Sequence, residues 1–228
     1  MFVEHIQDSF SNQLLGSQMM DHSNILQLRP SQIEEASELA AHALISDPVF
    51  SNLTPDDPEL RFQALTWLTS RLMAYCIQYG YTYTTSDIQG VAVWLPPAGE
   101  VSSHWLQQIK MALQLKVYQL PVKVGWNRLA RWLKVLSAIE KAQQQDMGES
   151  PYWDLGLMVV HPDSQGQGIG TRLLEPILLQ ASKEGLPCSV VTATELAVRF
   201  YQKNGFEITR KQQIAADAPS FWILKRHP

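Results

Sequence analysis

The stretch WDLGLMVVHPDSQGQGIGT, residues 153–171, decides the fold of this chain. It begins as an apolar strand, Leu155–Val160, and ends in glycines at alternate positions, Gly166, Gly168 and Gly170. Glycine lets the backbone adopt positive φ and approach a ligand closely. Because a helical pattern follows, successive N–H groups would gather at the positive end of a helix, which suits a pyrophosphate. The stretch therefore predicts a strand, an anion-binding loop and a helix in succession.

Three kinds of phosphate-binding loop compete for these glycines. The Rossmann pattern G-x-G-x-x-G requires glycine where Thr171 stands, and a Walker A loop requires a Gly-Lys-Ser/Thr run that is absent from the sequence. The pattern [Gln/Arg]-x-x-Gly-x-[Gly/Ala] is matched by Gln165, Gly168 and Gly170. A tight turn without a ligand is the alternative that three glycines alone leave open.

Hydrophobic periodicity extends the prediction in both directions. Upstream we expect strands at 25–29, 81–85 and 90–94, a helix at 33–44, and a second helix that begins after Asp57 and ends at Gly80. A helical insertion at 101–147, broken at Pro121, separates the third strand from the fourth. The strand signal before the loop covers 152–160. Downstream we expect helices at 168–184 and 196–204, and strands at 187–192, 206–213 and 221–224. The fold class is α+β, with a mixed, mostly antiparallel central sheet flanked by helices.

Composition sets the broad class of protein. The 228 residues are 45% apolar and 18% charged, with a formal charge of −4 and a pI near 5.8. These values give no attraction to nucleic acid or to an anionic membrane. We expect residues 1–24 to be a loose extension and residues 25–228 to form a single domain. Two distant cysteines, no secretory signal and no long apolar run indicate a cytoplasmic protein. We also expect a monomer or homodimer.

A family resemblance becomes specific once the strand, the loop and a later segment are taken together. The block from Trp153 to Phe206 resembles the core of the GNAT N-acetyltransferase superfamily, and it ends in the motif FYQKNGF at 200–206. The segments DPVF at 47–50, GVAVWLPP at 90–97 and YW at 152–153 are similar to the puromycin N-acetyltransferase-like branch. The resemblance implies the GNAT fold and an enzyme that moves an acetyl group from acetyl-CoA to a primary amine of a small molecule. Transfer would occur by direct attack in a ternary complex.

The resemblance also implies roles for individual residues. Backbone groups of the fourth strand would bind the pantetheine arm, the loop would bind the pyrophosphate, and the residue at 194 would contact CoA. The implied cofactor-binding residues are Met158, Val159, Val160, Gln165, Gly166, Gln167, Gly168, Ile169, Gly170, Thr171 and Thr194. No metal is implied.

Two residues are implied to be catalytic. Tyr201 would donate a proton to the departing thiolate, and a backbone N–H near Val159 or Val160 would stabilise the oxyanion. Asp154 is the candidate general base that removes a proton from the amine. A surface aspartate at the start of a strand is the alternative reading of Asp154.

Three points stay open at the level of sequence. A non-catalytic acyl-CoA-binding or sensing module and a protein or peptide N-acetyltransferase are the alternative functions, because fold alone does not decide function. Trp94, Trp105, Trp126 and Trp132 are either core residues or the lining of an acceptor pocket. The identity of the acceptor amine does not follow from the sequence.

Overall fold

A computed structural model of the chain describes residues 25–97, 115–148, 150–213 and 219–228. Within them one sheet comprises β1 Ile25–Gln27, β2 Thr82–Thr85, β3 Gly90–Leu95, β4 Trp153–Val160, β5 Cys188–Thr192, β6 Glu207–Gln213 and β7 Ser220–Arg226. The strand order is β1-β2-β3-β4-β5-β7-β6. β4 and β5 run parallel, and the other neighbouring pairs are antiparallel. The predicted mixed, mostly antiparallel sheet is confirmed.

The helices of the described residues are α1 Ile33–Leu44, α2 Pro48–Leu53, α3 Pro58–Cys76, α4 Leu120–Val124, α5 Trp126–Met147, α6 Ile169–Glu184 and α7 Glu195–Lys203. Asp57 caps α3 as expected, because its Oδ1 accepts a hydrogen bond from the N–H of Leu60 at 2.9 Å. The short helix α2 was not predicted, although Asp47 and Pro48 repeat the same start signal.

The helices cover both faces of the sheet. On the α6 face, α6 and α7 pack on alternate strand residues such as Trp94, Leu155 and Leu224. On the opposite face, called here the α5 face, α1 and α3 pack on the sheet at positions such as Val93. Helix α5 covers Phe221 and Ile223 there. Because side chains alternate along a strand, the residues flanking a core position belong to the other face.

The insertion lies between β3 and β4, as predicted. Among the described residues, Gly125, with φ of +82°, separates α4 from α5. Pro121 lies in the first turn of α4, where a missing N–H costs no helical hydrogen bond, directly after a turn and a 3-10 helix at Val117–Gln119. The break expected at Pro121 therefore falls at the start of α4, and most of the helix expected before it lies outside the described residues. Residues 98–114, with Trp105, and the expected extension at 1–24 lie outside the described residues.

Helix α5 is attached at both ends. Near its start, Trp132 donates from Nε1 to the carbonyl oxygen of Leu53 in α2 at 3.0 Å. Near its end, Arg210 of β6 donates from Nε to both carboxylate oxygens of Asp146 at 3.1 Å. The helix therefore spans the α5 face from α2 to the β6–β7 edge.

A β-bulge in β4 divides the strand into two halves. Val93 of β3 is opposite Leu157, but the next residue, Trp94, is opposite Leu155, so Gly156 is the additional residue on β4. As a result, Leu155 faces α6 whereas Leu157 faces α1 and α3. The bulge therefore reverses the orientation of the side chains partway along β4.

Candidate active site

The two parallel strands at the centre of the sheet, β4 and β5, separate partway along β4. β4 and β5 pair only as far as Leu155 and Val190, after which β4 continues for five residues without β5 as its neighbour. β5 remains paired with β7 as far as Thr192. The divergence opens a wedge in the middle of the sheet, and it begins at the bulge. Unpaired backbone groups on the β4 side of the wedge are available to a ligand that adds as a strand.

The register identifies which backbone groups of β4 face the wedge. His161 donates its N–H to the carbonyl oxygen of Gln89 at 2.8 Å, so this pair is hydrogen-bonded across β3 and β4. Hydrogen-bonded and non-hydrogen-bonded pairs alternate along an antiparallel ladder. The backbone N–H and C=O of Val159 therefore point to β3, whereas those of Met158 and Val160 point to the wedge. Of the three strand residues implied to bind the cofactor, Met158 and Val160 therefore have backbone groups that face the wedge, whereas those of Val159 face β3.

The glycine loop adopts the conformation that its sequence predicts. Gly166 and Gly168 both have φ of +78°, and Gly168 is the N-cap of α6 without a side-chain cap. No backbone N–H from Gly166 to Thr171 donates to another described residue. Six consecutive N–H groups at the positive end of a 16-residue helix are therefore free to bind an anion.

The loop is held in place by contacts that the sequence did not indicate. Ser164 donates from Oγ to Oε1 of Gln89 at 2.6 Å, beside the His161 bond to the same residue. Gln165 donates from Nε2 to the carbonyl oxygen of Val160 at 3.3 Å. Gln167 donates from Nε2 to the carbonyl oxygen of Asp163, also at 3.3 Å. The turn between β2 and β3 thus anchors the loop, and Gln89 is the residue that sequence reasoning missed.

Gly170 sets the distance between α6 and α7. A Cβ atom at this position would lie 2.9 Å from Cζ of Phe200 and 3.3 Å from Cε of Met158. Gly170 and the preceding Ile169 are buried, whereas Thr171 is exposed. Glycine is therefore required at position 170 for close packing, since its φ is not in the left-handed region.

Tyr201 lies in the core of the α6 face with its hydroxyl group unpaired. The residue is 5% exposed and packs edge-to-face against Phe200 and Phe206. Among the described residues its hydroxyl group makes no hydrogen bond. Burial raises the pKa of Tyr201 above the ordinary phenol value, which keeps the hydroxyl protonated near neutral pH.

Thr194 has a structural role. Its Oγ1 accepts a hydrogen bond from the N–H of Ala197 at 3.3 Å and so caps α7. The hydroxyl proton stays available, so the predicted contact with CoA is compatible with the cap. Thr194 thus fixes the start of the helix that carries Tyr201.

Asp154 lies on the α5 face, on the side of the sheet opposite Tyr201. Gln143 of α5 donates from Nε2 to its Oδ1 at 3.0 Å and to Oγ of Ser189 at 3.1 Å. Burial raises the pKa of the Asp154 carboxyl to about 6, and the Gln143 hydrogen bond acts in the opposite direction. A carboxyl group with such a pKa is mostly ionised at neutral pH and remains basic enough to accept a proton.

The other sequence candidates do not gather into one site. Trp94 is fully buried on the α6 face, Trp132 is bonded to α2, and Trp126 is 75% exposed. Cys188 is buried, and burial raises the pKa of its thiol to about 12, so it is a core residue. The described residues contain no group of three or more His, Cys, Asp or Glu side chains placed to hold a metal ion.

Comparison with known proteins agrees with this geometry. Residues 135–208 match the sequence model of a family described as the acetyltransferase (GNAT) domain. Structures of N-acetyltransferases share the fold over 90% of this chain. The match to the family model is confined to residues 135–208, and this part of the chain is similar to a GNAT acetyltransferase domain.

Particular relatives are distant. The Drosophila melanogaster polyamine N-acetyltransferase, which forms N-acetylagmatine, is 18% identical with a TM-score of 0.62, covering 90% of this chain and 99% of that one. An uncharacterized N-acetyltransferase of Schizosaccharomyces pombe is 24% identical over 174 residues, covering 76% of this chain and 70% of the relative.

A probable serine/threonine-protein kinase of Dictyostelium discoideum is 24% identical over 233 residues, covering 89% of this chain and 31% of the kinase. The chain spans less than a third of the length of this relative and of two further curated relatives, with 31%, 13% and 21% covered. In the described part of the chain, no helix combines the length and apolar character that a membrane span requires.

Proposed function

We propose that this chain transfers an acetyl group from acetyl-CoA to a primary amine of a small molecule, by direct attack in a ternary complex. The observation that carries the proposal is the row of free N–H groups from Gly166 to Thr171 beside the wedge between β4 and β5. The row suits the pyrophosphate of CoA, because fixed N–H dipoles at a helix N-terminus bind anions. The wedge suits the pantetheine arm, whose amide groups can bond the backbone of Met158 and Val160.

The two catalytic candidates, Asp154 and Tyr201, suit the two proton transfers of the reaction. The amine nitrogen forms a bond to the thioester carbon, the carbon–sulfur bond breaks, and one proton must leave the nitrogen while another reaches the sulfur. Asp154 on the α5 face is suited to take the first proton, and Tyr201 on the α6 face to give the second. A backbone N–H of Met158 or Val160 is suited to stabilise the oxyanion.

The acceptor class rests on chemistry and on the fold neighbours. In this proposal Asp154 deprotonates an ammonium group, and α5 partly covers its face of the sheet. The Drosophila enzyme that shares the fold acts on polyamines. We therefore propose small amines as acceptors and retain the puromycin N-acetyltransferase-like branch as a prediction.

The remaining proposals concern organisation. A single sheet from β1 to β7 supports treating residues 25–228 as one domain. We keep a cytoplasmic location, and a monomer or homodimer, as proposals.

The test joins calorimetric titration of acetyl-CoA to a thiol-release assay. The panel contains spermidine, agmatine, an arylalkylamine, puromycin, an aminoglycoside and a lysine peptide. Both cysteines are buried, so the thiol reagent should report released CoA with little background from the folded protein.

Release that depends on a small amine supports the proposal. Release with the peptide alone would indicate a peptide acetyltransferase, and tight binding without release would indicate an acyl-CoA-binding module. Absence of acetyl-CoA binding would overturn the proposed cofactor site.

A further inference from the structure

We propose that Gln143, contributed by the insertion helix α5, is a positioning residue that orients the Asp154 carboxylate for proton removal. The inference rests on the proposed function, since it assigns a role to a residue that holds the candidate base. Gln143 is 11 residues before Asp154 and reaches it only because α5 packs on β5 and β7. The contact therefore links the insertion directly to the proposed reaction centre.

Both amide hydrogens of Gln143 are used. One is donated to Oδ1 of Asp154 at 3.0 Å and the other to Oγ of Ser189 at 3.1 Å. Gln143 is 8% exposed and Ser189 is fully buried, so the contact between them is shielded from bulk water, whereas the contact to Asp154 is part-buried. Two acceptors in fixed positions determine the orientation of the amide, and the amide in turn fixes the carboxylate.

The arrangement leaves the second carboxylate oxygen available. Within the described residues, Oδ2 of Asp154 makes no hydrogen bond, and Asp154 is half-buried. Asp154 pairs in register with Ser189 just before β4 and β5 separate. In the proposed reaction, Oδ2 is the oxygen that receives a proton from the acceptor amine, or from a water bound to it.

The electrostatic surroundings make the Gln143 bond important. No salt bridge joins Asp154 to a basic side chain of the described residues. Among the described residues, the phenol of Tyr152, in the segment before β4, interacts with the charge of Asp154, and Glu140 of α5 interacts in turn with Tyr152. Lys225 of β7 is opposite Ser189, one strand further from Asp154, and forms no salt bridge with it. The Gln143 amide is therefore the group that stabilises ionised Asp154 against burial.

The test compares Gln143→Met with Gln144→Met. Methionine has a similar volume but donates no hydrogen bond, and Gln144 is an exposed neighbour on the same helix, so its variant controls for composition and helix propensity. The carboxyl group of Asp154 is titrated by carbon NMR in the full chain, with Asp154→Asn identifying the signal. The pH dependence of kcat/KM is measured alongside with an amine that the parent accepts.

Loss of a hydrogen bond to an ionised carboxylate should raise the carboxyl midpoint by about one pH unit or more. The acid limb of kcat/KM should move upward equally, so that activity falls roughly tenfold below the limb and recovers above it. The KM for acetyl-CoA should stay unchanged, and Gln144→Met should behave like the parent. If Gln143→Met does not fold, Gln143→Asn tests the same bond, because it keeps the amide but is one methylene shorter.

Each failure has a different signature. An unchanged carboxyl midpoint in the Gln143 variant overturns the positioning role, whatever the activity does. A raised midpoint with an unmoved kcat/KM profile shows that Asp154 is not the base and also overturns the inference. A parent protein that releases no CoA with any amine contradicts the proposed function itself, and the NMR titration still reports on the Gln143 contact.

Discussion

Replacing Gly170 by alanine tests whether close packing of α6 on α7 requires glycine. The new Cβ would lie 2.9 Å from Cζ and 3.0 Å from Cε2 of Phe200, and 3.3 Å from Cε of Met158. The two shortest contacts are to a rigid ring, so relief requires movement of α7, which also carries Tyr201. Overpacking of this kind costs about 1–3 kcal/mol.

The expected loss follows from two opposing terms. The higher helix propensity of alanine stabilises the helix by up to about 1 kcal/mol and partly offsets the overpacking cost. The free energy of unfolding should therefore fall by about 1–2 kcal/mol. For a chain of this size, that loss lowers Tm by roughly 2–8 °C. Circular dichroism melts and urea titrations measure both quantities.

A double-mutant cycle with Phe200→Leu isolates the contact. The smaller side chain should remove most of the cost of the alanine, giving a coupling free energy of about 1 kcal/mol or more. Gly166→Ala is the control, because its φ of +78° strains the backbone while no atom lies within 4 Å of the added Cβ. Its cost should be equal in both backgrounds. A Gly170→Ala protein that melts at or above the parent temperature, or that shows no coupling to Phe200, would refute the reasoning.

Three further predictions concern the loop, the acid and the insertion. Gly168→Ala forces an L-residue into φ of +78°, at a cost of about 1–2 kcal/mol. Calorimetry should show weaker acetyl-CoA binding, and unchanged affinity would contradict the assignment of an anion-binding loop. Tyr201→Phe should bind acetyl-CoA as the parent does but lower kcat by about 10²-fold or more, and an unchanged kcat would remove the proton-donor role. The hydrogen bond from the Arg210 guanidinium lowers the pKa of Asp146. The pair therefore stabilises the fold at pH values above the ordinary aspartate pKa. This contribution is lost as the pH falls through the lowered pKa. Asp146→Asn should therefore melt below the parent at pH 7 and match it at a pH under the lowered pKa; a Tm difference independent of pH would count against the ion pair.

The unit that contains the glycine loop was predictable to within about a residue. The strand, the loop and the helix were expected at 152–160, 161–167 and 168–184, and the structure has β4 at Trp153–Val160 and α6 at Ile169–Glu184. These boundaries depend on alternation, on glycine at positive φ and on helical periodicity, all of which act over a few residues. The break expected at Pro121 coincides with the start of α4, since proline is tolerated in a first helical turn, but the interruption at Gly125 was not predicted.

The candidate site was predictable in its parts, but its arrangement was not. Tyr201 and the loop were identified through short motifs, whereas Gln143 stands in a run of three glutamines at 143–145 that no local pattern distinguishes. Only the packing of α5 on the sheet buries the first of them against Asp154 and leaves the other two exposed. Gln89 was missed for the same reason, since it contacts residues more than 70 positions away.

The sequence by itself determined the order of the strands and of the helices apart from α2, the conformation of the glycine loop and the residue types available for acid and base. The tertiary structure alone decided that Gly156 bulges, that Met158 and Val160 rather than Val159 face the wedge, and that Asp154 and Tyr201 lie on opposite faces of the sheet. The reason is physical. Backbone preferences and capping act between near neighbours in the chain, whereas burial, register and side-chain partners depend on which distant elements pack together.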